Sequence, residues 1–140
     1  MIFIVAYDAE KTILGVLERI PKTLSADYDV EILIIDDCSL DATAEITQRR
    51  VDQHGHIFPI TLLRNLINQG YGGTQKIGYR YAILHGFDVV VLLHGDGQYA
   101  PEKISELLLP FRRNAALGAV ATTPGSFDRL LSASNFLSAL

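Results

Sequence analysis

The apolar run Val91-Leu92-Leu93 stops at His94-Gly95-Asp96-Gly97-Gln98. A carboxylate among glycines at the end of a buried strand lies where open α/β sheets bind ligands. Asp96 is therefore a candidate ligand for Mg²⁺ or Mn²⁺, ions held by one or two carboxylates together with substrate phosphates. His94 can join it if the ion is Mn²⁺, since imidazole is a softer ligand than carboxylate; the alternative is a hydrogen-bonded structural histidine. A second candidate closes another apolar run, Ile34-Ile35-Asp36-Asp37-Cys38-Ser39-Leu40-Asp41. Neighbouring residues of an extended chain point to opposite sides. One of Asp36 and Asp37 can thus bind backbone while the other faces a cleft and accepts from a nucleobase N–H or a ribose hydroxyl. Turn chemistry accounts for the same residues without a ligand. The third is Asn68-Gln69-Gly70-Tyr71-Gly72-Gly73-Thr74-Gln75-Lys76-Ile77-Gly78. This glycine-rich turn opens a helix whose free N–H groups suit an anion, with Lys76 one turn inside; a flexible turn without a ligand reads equally well.

Other chemistries leave no trace. The third segment is not a P-loop, because Tyr79 follows its last glycine. The dinucleotide fingerprint needs glycines directly after the first strand, where this chain has Tyr7-Asp8-Ala9-Glu10-Lys11-Thr12. No Gly-x-Ser-x-Gly elbow occurs, and His54, His56 and His85 show no zinc-like spacing. Cys38 sits at a tight turn that needs a small residue.

Nine elements position these residues. Strands are predicted over Ile2–Ala6, Val30–Ile35, Ile60–Arg64, Asp88–Leu93 and Gly118–Thr122, and helices over Lys11–Ile20, Ala42–Val51, Gly72–Leu84 and Pro101–Arg113. Asp41 is placed to cap the second helix, Gly86 to end the third, and Pro101 to open the fourth. The strands are continuous apolar runs, as parallel strands covered on both faces require. Strict alternation of strand and helix gives an α/β layer fold with right-handed crossovers. Residues 1–123 form the domain. From Pro124-Gly125-Ser126 onward the pattern breaks, and Phe127–Leu140 is an incomplete, weakly helical tail whose leucines want a partner surface; the expectation is a truncated domain.

The bulk numbers agree with one globular domain: 140 residues, 49% hydrophobic and 20% charged. A net charge of -4 argues against a nucleic-acid partner. The single cysteine permits no internal disulfide and fits a reducing, cytoplasmic setting. No apolar run reaches the 18 or so residues that span a bilayer. The N-terminus reads as a first strand rather than a signal peptide.

Taken in order, four segments resemble the family 2 glycosyltransferases of GT-A fold, and among them the polyprenyl- and dolichol-phosphate sugar transferases. Val5-Ala6-Tyr7-Asp8-Ala9-Glu10 is similar to the family's Pro-Ala-Tyr-Asn-Glu. Ile35-Asp36-Asp37-Cys38-Ser39-Leu40-Asp41-Ala42-Thr43 is similar to Val-Asp-Asp-Gly-Ser-x-Asp-x-Thr. Asn68-Gln69-Gly70-Tyr71-Gly72-Gly73 matches the Asn-x-Gly-x-Gly turn, and His94-Gly95-Asp96-Gly97-Gln98 stands where the family has Asp-x-Asp-x-Gln. The resemblance covers about residues 2–110. It implies a Rossmann-like, mostly parallel sheet flanked by helices, and a nucleotide site of Ala6, Tyr7, Asp36, Asp37, Asn68, Gly70, Gly72 and Lys76. It further implies Asp96 as the catalytic carboxylate and metal ligand, with His94 beside it and Mg²⁺ or Mn²⁺ as cofactor, and Gln98 on the sugar or acceptor side. The implied activity is inverting transfer of a sugar from a nucleotide-sugar donor to a lipid phosphate or a saccharide, in cell-envelope polysaccharide synthesis. The implied place is the cytoplasm, with peripheral association at the inner face of the membrane.

Departures from the family pattern are Val5 for proline, Ala9 for the first glutamate and His94 for the first aspartate. Acceptor-side residues and any general base are expected beyond residue 140. Two rival readings remain open: a nucleotide-sugar-binding fragment without transfer, and a subunit that docks through its apolar tail.

Overall fold

The computed structural model describes residues 1–53, 56–113 and 119–122. The predicted tail from residue 124, His54 and Gly118 lie outside the described residues.

Five strands, β1 (Ile2–Ala6), β2 (Ile32–Asp36), β3 (Ile60–Arg64), β4 (Val89–His94) and β5 (Ala119–Thr122), form one sheet in the order β3-β2-β1-β4-β5. All four pairings are parallel. Helices α1 (Ile13–Glu18), α2 (Thr43–Asp52), α3 (Gly70–Leu84) and α4 (Ile104–Arg113) connect them. The predicted α/β layering is what forms, with every strand within about two residues of its expected limits. Among the described residues, no helix is long and apolar enough to cross a membrane.

Alternation along the strands builds two cores. Ile2, Ile4, Ile32, Ile34, Val91 and Leu93 face α1 and α4, which contribute Ile13, Val16, Leu17, Ile104, Leu108 and Phe111. Phe3, Val5, Leu33, Ile35, Val90 and Leu92 face the other way, toward Tyr79 and Ala82 of α3. Burial on both faces is why the runs carry no polar alternation.

Helix limits moved more than strand limits. The first helix shortens to six residues, and Thr12 and Ile13 N–H both donate to Ala9 O in the turn that precedes it. A 3₁₀ segment, Lys22–Ala26, follows Pro21. Pro101–Lys103 is likewise 3₁₀ and runs into α4. Helix α3 closes as expected at Gly86: Phe87 N–H donates to Ala82 O (3.0 Å) and Gly86 N–H to Ile83 O (3.2 Å), the paired bonds of a Schellman cap.

The strand order reverses at β1, whose neighbours are β2 and β4. Such a switch point opens a crevice at the carboxyl ends of the strands, where α/β sheets take ligands. Close packing of α3 over β1 depends on Gly78, since a Cβ there would lie 2.2 Å from the ring of fully buried Phe3. Overpacking costs about 1–3 kcal/mol, which exceeds the roughly 1 kcal/mol that alanine gains over glycine in a helix. Gly78→Ala is therefore expected to lower the urea midpoint, by about 1–2 kcal/mol in stability, although alanine is the better helix former.

Candidate functional site at the sheet switch point

Where β1 ends, its backbone turns into α1 and loses its ladder partners. The β2–α2 loop replaces them with side chains. Asp8 N–H donates to Ser39 Oγ (3.0 Å), Ala9 N–H to Thr43 Oγ1 (2.7 Å) and Glu10 N–H to Asp41 Oδ2 (3.0 Å). The bonds are reciprocated: Leu40 N–H donates to Asp8 Oδ1 (2.9 Å) and Ala42 N–H to Glu10 Oε2 (3.1 Å). Asp8 (φ 46°) and Cys38 (φ 62°) both adopt left-handed backbone. That conformation costs a non-glycine residue energy and persists only where the surroundings over-determine it. The five stitches do so.

Asp41 serves α2 from one position further out than predicted. The helix starts at Thr43, whose N–H donates to Asp41 Oδ1 (2.9 Å). Burial pushes the Asp41 carboxyl up, but bonds from the Thr43 hydroxyl and the Glu10 and Thr43 N–H groups outweigh it and hold it below the usual carboxylate range.

The paired aspartates separate as strand geometry requires. Asp36 is fully buried beneath the loop. It accepts from Ser39 Oγ and from Ser39 N–H (3.3 Å), and pairs with Arg64 Nε at 3.1 Å. Asp37 turns to the crevice. Its N–H donates to Ala6 O (2.8 Å), and its Oδ1 accepts from Gln69 N–H (2.8 Å) and Asn65 Nδ2 (2.7 Å). Its carboxylate thus sits at the amino end of α3, where helix N–H groups favour negative charge. Burial pushes the Asp37 carboxyl up, but the Gln69 and Gly70 N–H groups with Asn65 and Thr74 more than offset it, so it stays below the usual range. The anion that the glycine-rich turn invited is therefore the chain's own Asp37.

Val5, Tyr7, Asp37, Asn68, Gly70, Tyr71, His94, Gly95 and Asp96 line a cleft of about 250 Å³ at this point. Gly95 forms its floor. A Cβ at Gly95 would come within 3.2 Å of Ala6 Cα, and its N–H bonds Val5 O at 2.8 Å. Thr12 Oγ1 donates to Gly95 O at 2.6 Å, fixing the β4 loop to α1. Asp96 is exposed in the cleft, and its Oδ1 accepts from Gln98 N–H (3.0 Å). His94 is half-buried; its Nε2 lies 2.7 Å from Tyr71 Oη, and its ring packs against those of Tyr71 (4.7 Å) and Tyr99 (4.5 Å). Burial holds the His94 imidazole below its ordinary pKa, with Asp96 opposing. Burial raises the Tyr71 phenol, aided by Tyr99 and Asp96.

The structure brings Tyr7, Asp37, Asn68, Gly70, His94 and Asp96 together and leaves others out. Ala6 is buried behind the cleft, and Asp36 is below it. Gly72, Lys76 and Gln98 are exposed and are not part of the lining. Val5, Tyr71 and Gly95 were not foreseen as lining residues, and Asp8, Glu10, Ser39, Thr43 and Arg64 were not foreseen as its supports.

Among the described residues, no group of three His, Cys, Asp or Glu side chains forms a metal cage. Asp96 suits a cation that takes one carboxylate and completes its shell with substrate phosphates. A second cavity, of about 290 Å³, lies at the opposite edge of the sheet, where Leu24, Phe87 and Leu108 meet the polar groups of Tyr28, Asp29, His85 and Asp88.

An α/β sheet with a polar cleft at its switch point has the arrangement in which open α/β sheets take ligands. Residues 1–135 match the family model of glycosyl transferase family 2, and the chain belongs to that family. It is 29% identical over 96 residues to an undecaprenyl-phosphate mannosyltransferase of Micrococcus luteus, covering 66% of this chain and 38% of that protein. It is 28% identical over 141 residues to a UDP-N-acetylglucosamine–dolichyl-phosphate N-acetylglucosaminyltransferase of Methanococcus voltae, covering 92% of this chain and 55% of that protein. The chain thus spans roughly a third to just over half of the length of these relatives. The solved structure of S. aureus TarS residues 1–349 in complex with UDP aligns with a TM-score of 0.57 at 20% identity, covering 81% of this chain and 32% of that one. The fold is of GT-A type.

Two expectations follow for Asp37. Asp37→Ala leaves Gln69 N–H without this acceptor and Asn65 Nδ2 with Thr74 Oγ1 alone, at a cost of about 1–3 kcal/mol. Because its folded pKa is depressed, the charge stabilises the fold above the unfolded carboxylate value of about 4 and ceases to do so as pH falls through the folded value. Urea midpoints between pH 7 and pH 3 should therefore fall less steeply below pH 4 in Asp37→Asn than in the wild type.

Proposed function

We propose that the cleft holds the nucleoside diphosphate of a sugar donor, and that the protein transfers the sugar to a lipid phosphate with inversion. The observation that carries this is the convergence of Asp37, from the end of β2, and Asp96, from the end of β4, on one cleft. The two differ in office. Asp37 is kept anionic by its donors and faces the place for a ribose hydroxyl or nucleobase N–H. Tyr7, 47% exposed, offers a ring on which a base can stack. Asn68 and Gly70 border the nucleotide. Asp96 stands toward the diphosphate, and Gln98 just beyond it on the sugar or acceptor side. Asp36, Gly72 and Lys76 have no ligand contact in this reading.

In transfer, a phosphate oxygen of the acceptor forms a bond to the anomeric carbon of the sugar. The bond from that carbon to the diphosphate oxygen breaks, and its electron pair leaves on the nucleoside diphosphate. Attack opposite the departing group inverts the anomeric configuration. The acceptor phosphate is already an anion, so no base need remove a proton. The diphosphate gains charge as it departs, and Mg²⁺ or Mn²⁺ held by Asp96 would neutralise it.

Support for a lipid-phosphate acceptor comes from the names of the relatives from Micrococcus luteus and Methanococcus voltae, which specify undecaprenyl phosphate and dolichyl phosphate. Support for a nucleotide in the cleft comes from TarS, crystallised with UDP. Work on a lipid phosphate would bring the protein to a membrane face from the cytoplasm.

Isothermal titration of UDP and GDP, with and without Mn²⁺, tests the reading. Binding of one nucleotide that strengthens with Mn²⁺ and loses that strengthening in Asp96→Ala is expected. No binding of either nucleotide would sink it. Binding without sugar transfer would reduce this chain to a donor-binding unit.

A further inference from the structure

His94 and Asp96 flank one glycine at the end of β4, and both line the cleft. An imidazole and a carboxylate so placed form the start of a transition-metal site. The surroundings of the ring work against that use. His94 Nε2 lies 2.7 Å from Tyr71 Oη. The contact can run either way with the histidine tautomer; in the tautomer protonated at Nδ1, on which the proposal below rests, the Tyr71 hydroxyl donates and Nε2 accepts. The Nε2 lone pair is then spent on the hydrogen bond, and the ring proton sits on Nδ1. Neither nitrogen retains a lone pair for a cation. Ring rotation is opposed from two sides, with Tyr71 and Tyr99 packed at 4.7 and 4.5 Å between centroids. The backbone beneath cannot shift to compensate, because Gly95 is pinned between Val5 O and Thr12 Oγ1.

We propose that Tyr71 is a positioning residue that holds the His94 imidazole off the cation, leaving the Asp96 carboxylate to bind it at the end of β4. The inference rests on the donor-site reading for the presence of a cation, and it gives Tyr71 a place in that reading. Tyr71 lies on the first turn of α3 and His94 on β4, so the bond also spans the cleft from one wall to the other. A cation held by one carboxylate depends on the phosphates of the donor for the rest of its shell, so this arrangement couples cation binding to nucleotide binding.

The test uses Mn²⁺ alone, followed by the electron paramagnetic resonance signal of the free ion, on the wild type and three variants. Tyr71→Phe removes the hydroxyl and returns the Nε2 lone pair. It should tighten Mn²⁺ binding in the absence of nucleotide on the order of tenfold, and Tyr71→Phe with His94→Ala should restore the wild-type affinity. His94→Ala alone should leave the wild-type affinity unchanged. Unchanged affinity in Tyr71→Phe, or weakened binding in His94→Ala alone, would overturn the proposal. A measurement on the wild type needs no variant: the ¹⁵N shifts of the His94 ring should show a protonated Nδ1 and an acceptor Nε2, both undisturbed by Mg²⁺. Loss of the Nδ1 proton or a shift of Nε2 on adding Mg²⁺ would overturn it equally. UDP and GDP binding is scored separately, and its absence would count against the donor site rather than against the His94 bond.

Discussion

Backbone donors that leave a buried sheet must find new acceptors, and the site is built around that need. Residues 8 to 10 pass from the central strand toward α1 with three N–H groups to place, and the neighbouring loop places all three, on Ser39, Thr43 and Asp41. Those side chains cannot serve unless the β2–α2 loop folds tightly, which forces Cys38 into left-handed backbone. Buried Asp36 anchors that loop through Ser39 and Arg64. Asp37, one residue on, is then turned into the crevice. The orientation of the cleft carboxylate is thus a consequence of hydrogen-bond satisfaction below it, present before any ligand arrives.

The remaining wall comes from topology. Because β1 pairs with both β2 and β4, the segments after Ala6 and His94 meet directly, and glycine at position 95 eases the approach, since a Cβ there would lie 3.2 Å from Ala6 Cα. The lower sheet and its two apolar cores carry stability. The upper edge carries polar groups that pack poorly as a core but converge as a site. This division brings Asp37, buried among its donors at the end of β2, and exposed Asp96, beyond the end of β4, to one cleft.

Much of this was legible in the residue order. Continuous runs such as Ile32–Ile35 and Val89–Leu93 mark buried parallel strands, and an aspartate at the end of each marks the working edge. Strand alternation anticipates that Asp36 and Asp37 part company. It does not say which one goes down, because that is decided by Arg64, distant in sequence and itself in a strand. The same limit hid the stitches: Asp8–Ser39, Ala9–Thr43 and Glu10–Asp41 join residues more than 30 apart. Periodicity and spacing carry no signal for such pairs, although the density of Asp, Ser and Thr in the two loops is the trace that they leave. Tyr71 escaped notice for a similar reason. It reads as one residue of a glycine-rich turn, and its partner His94 reads as a lone histidine, until the crossover helix brings them within hydrogen-bonding distance.

Nucleotide binding in the preformed cleft above β1 and β4 is the proposal on which the reading of the site turns. Amide chemical-shift mapping with UDP or GDP on ¹⁵N-labelled protein tests it most directly. Shifts are expected to gather at Tyr7, Asp37, Asn68, Gly70 and Asp96, with the opposite cavity around Tyr28, Phe87 and Leu108 silent. Shifts centred on that opposite edge, or none with either nucleotide, would contradict it.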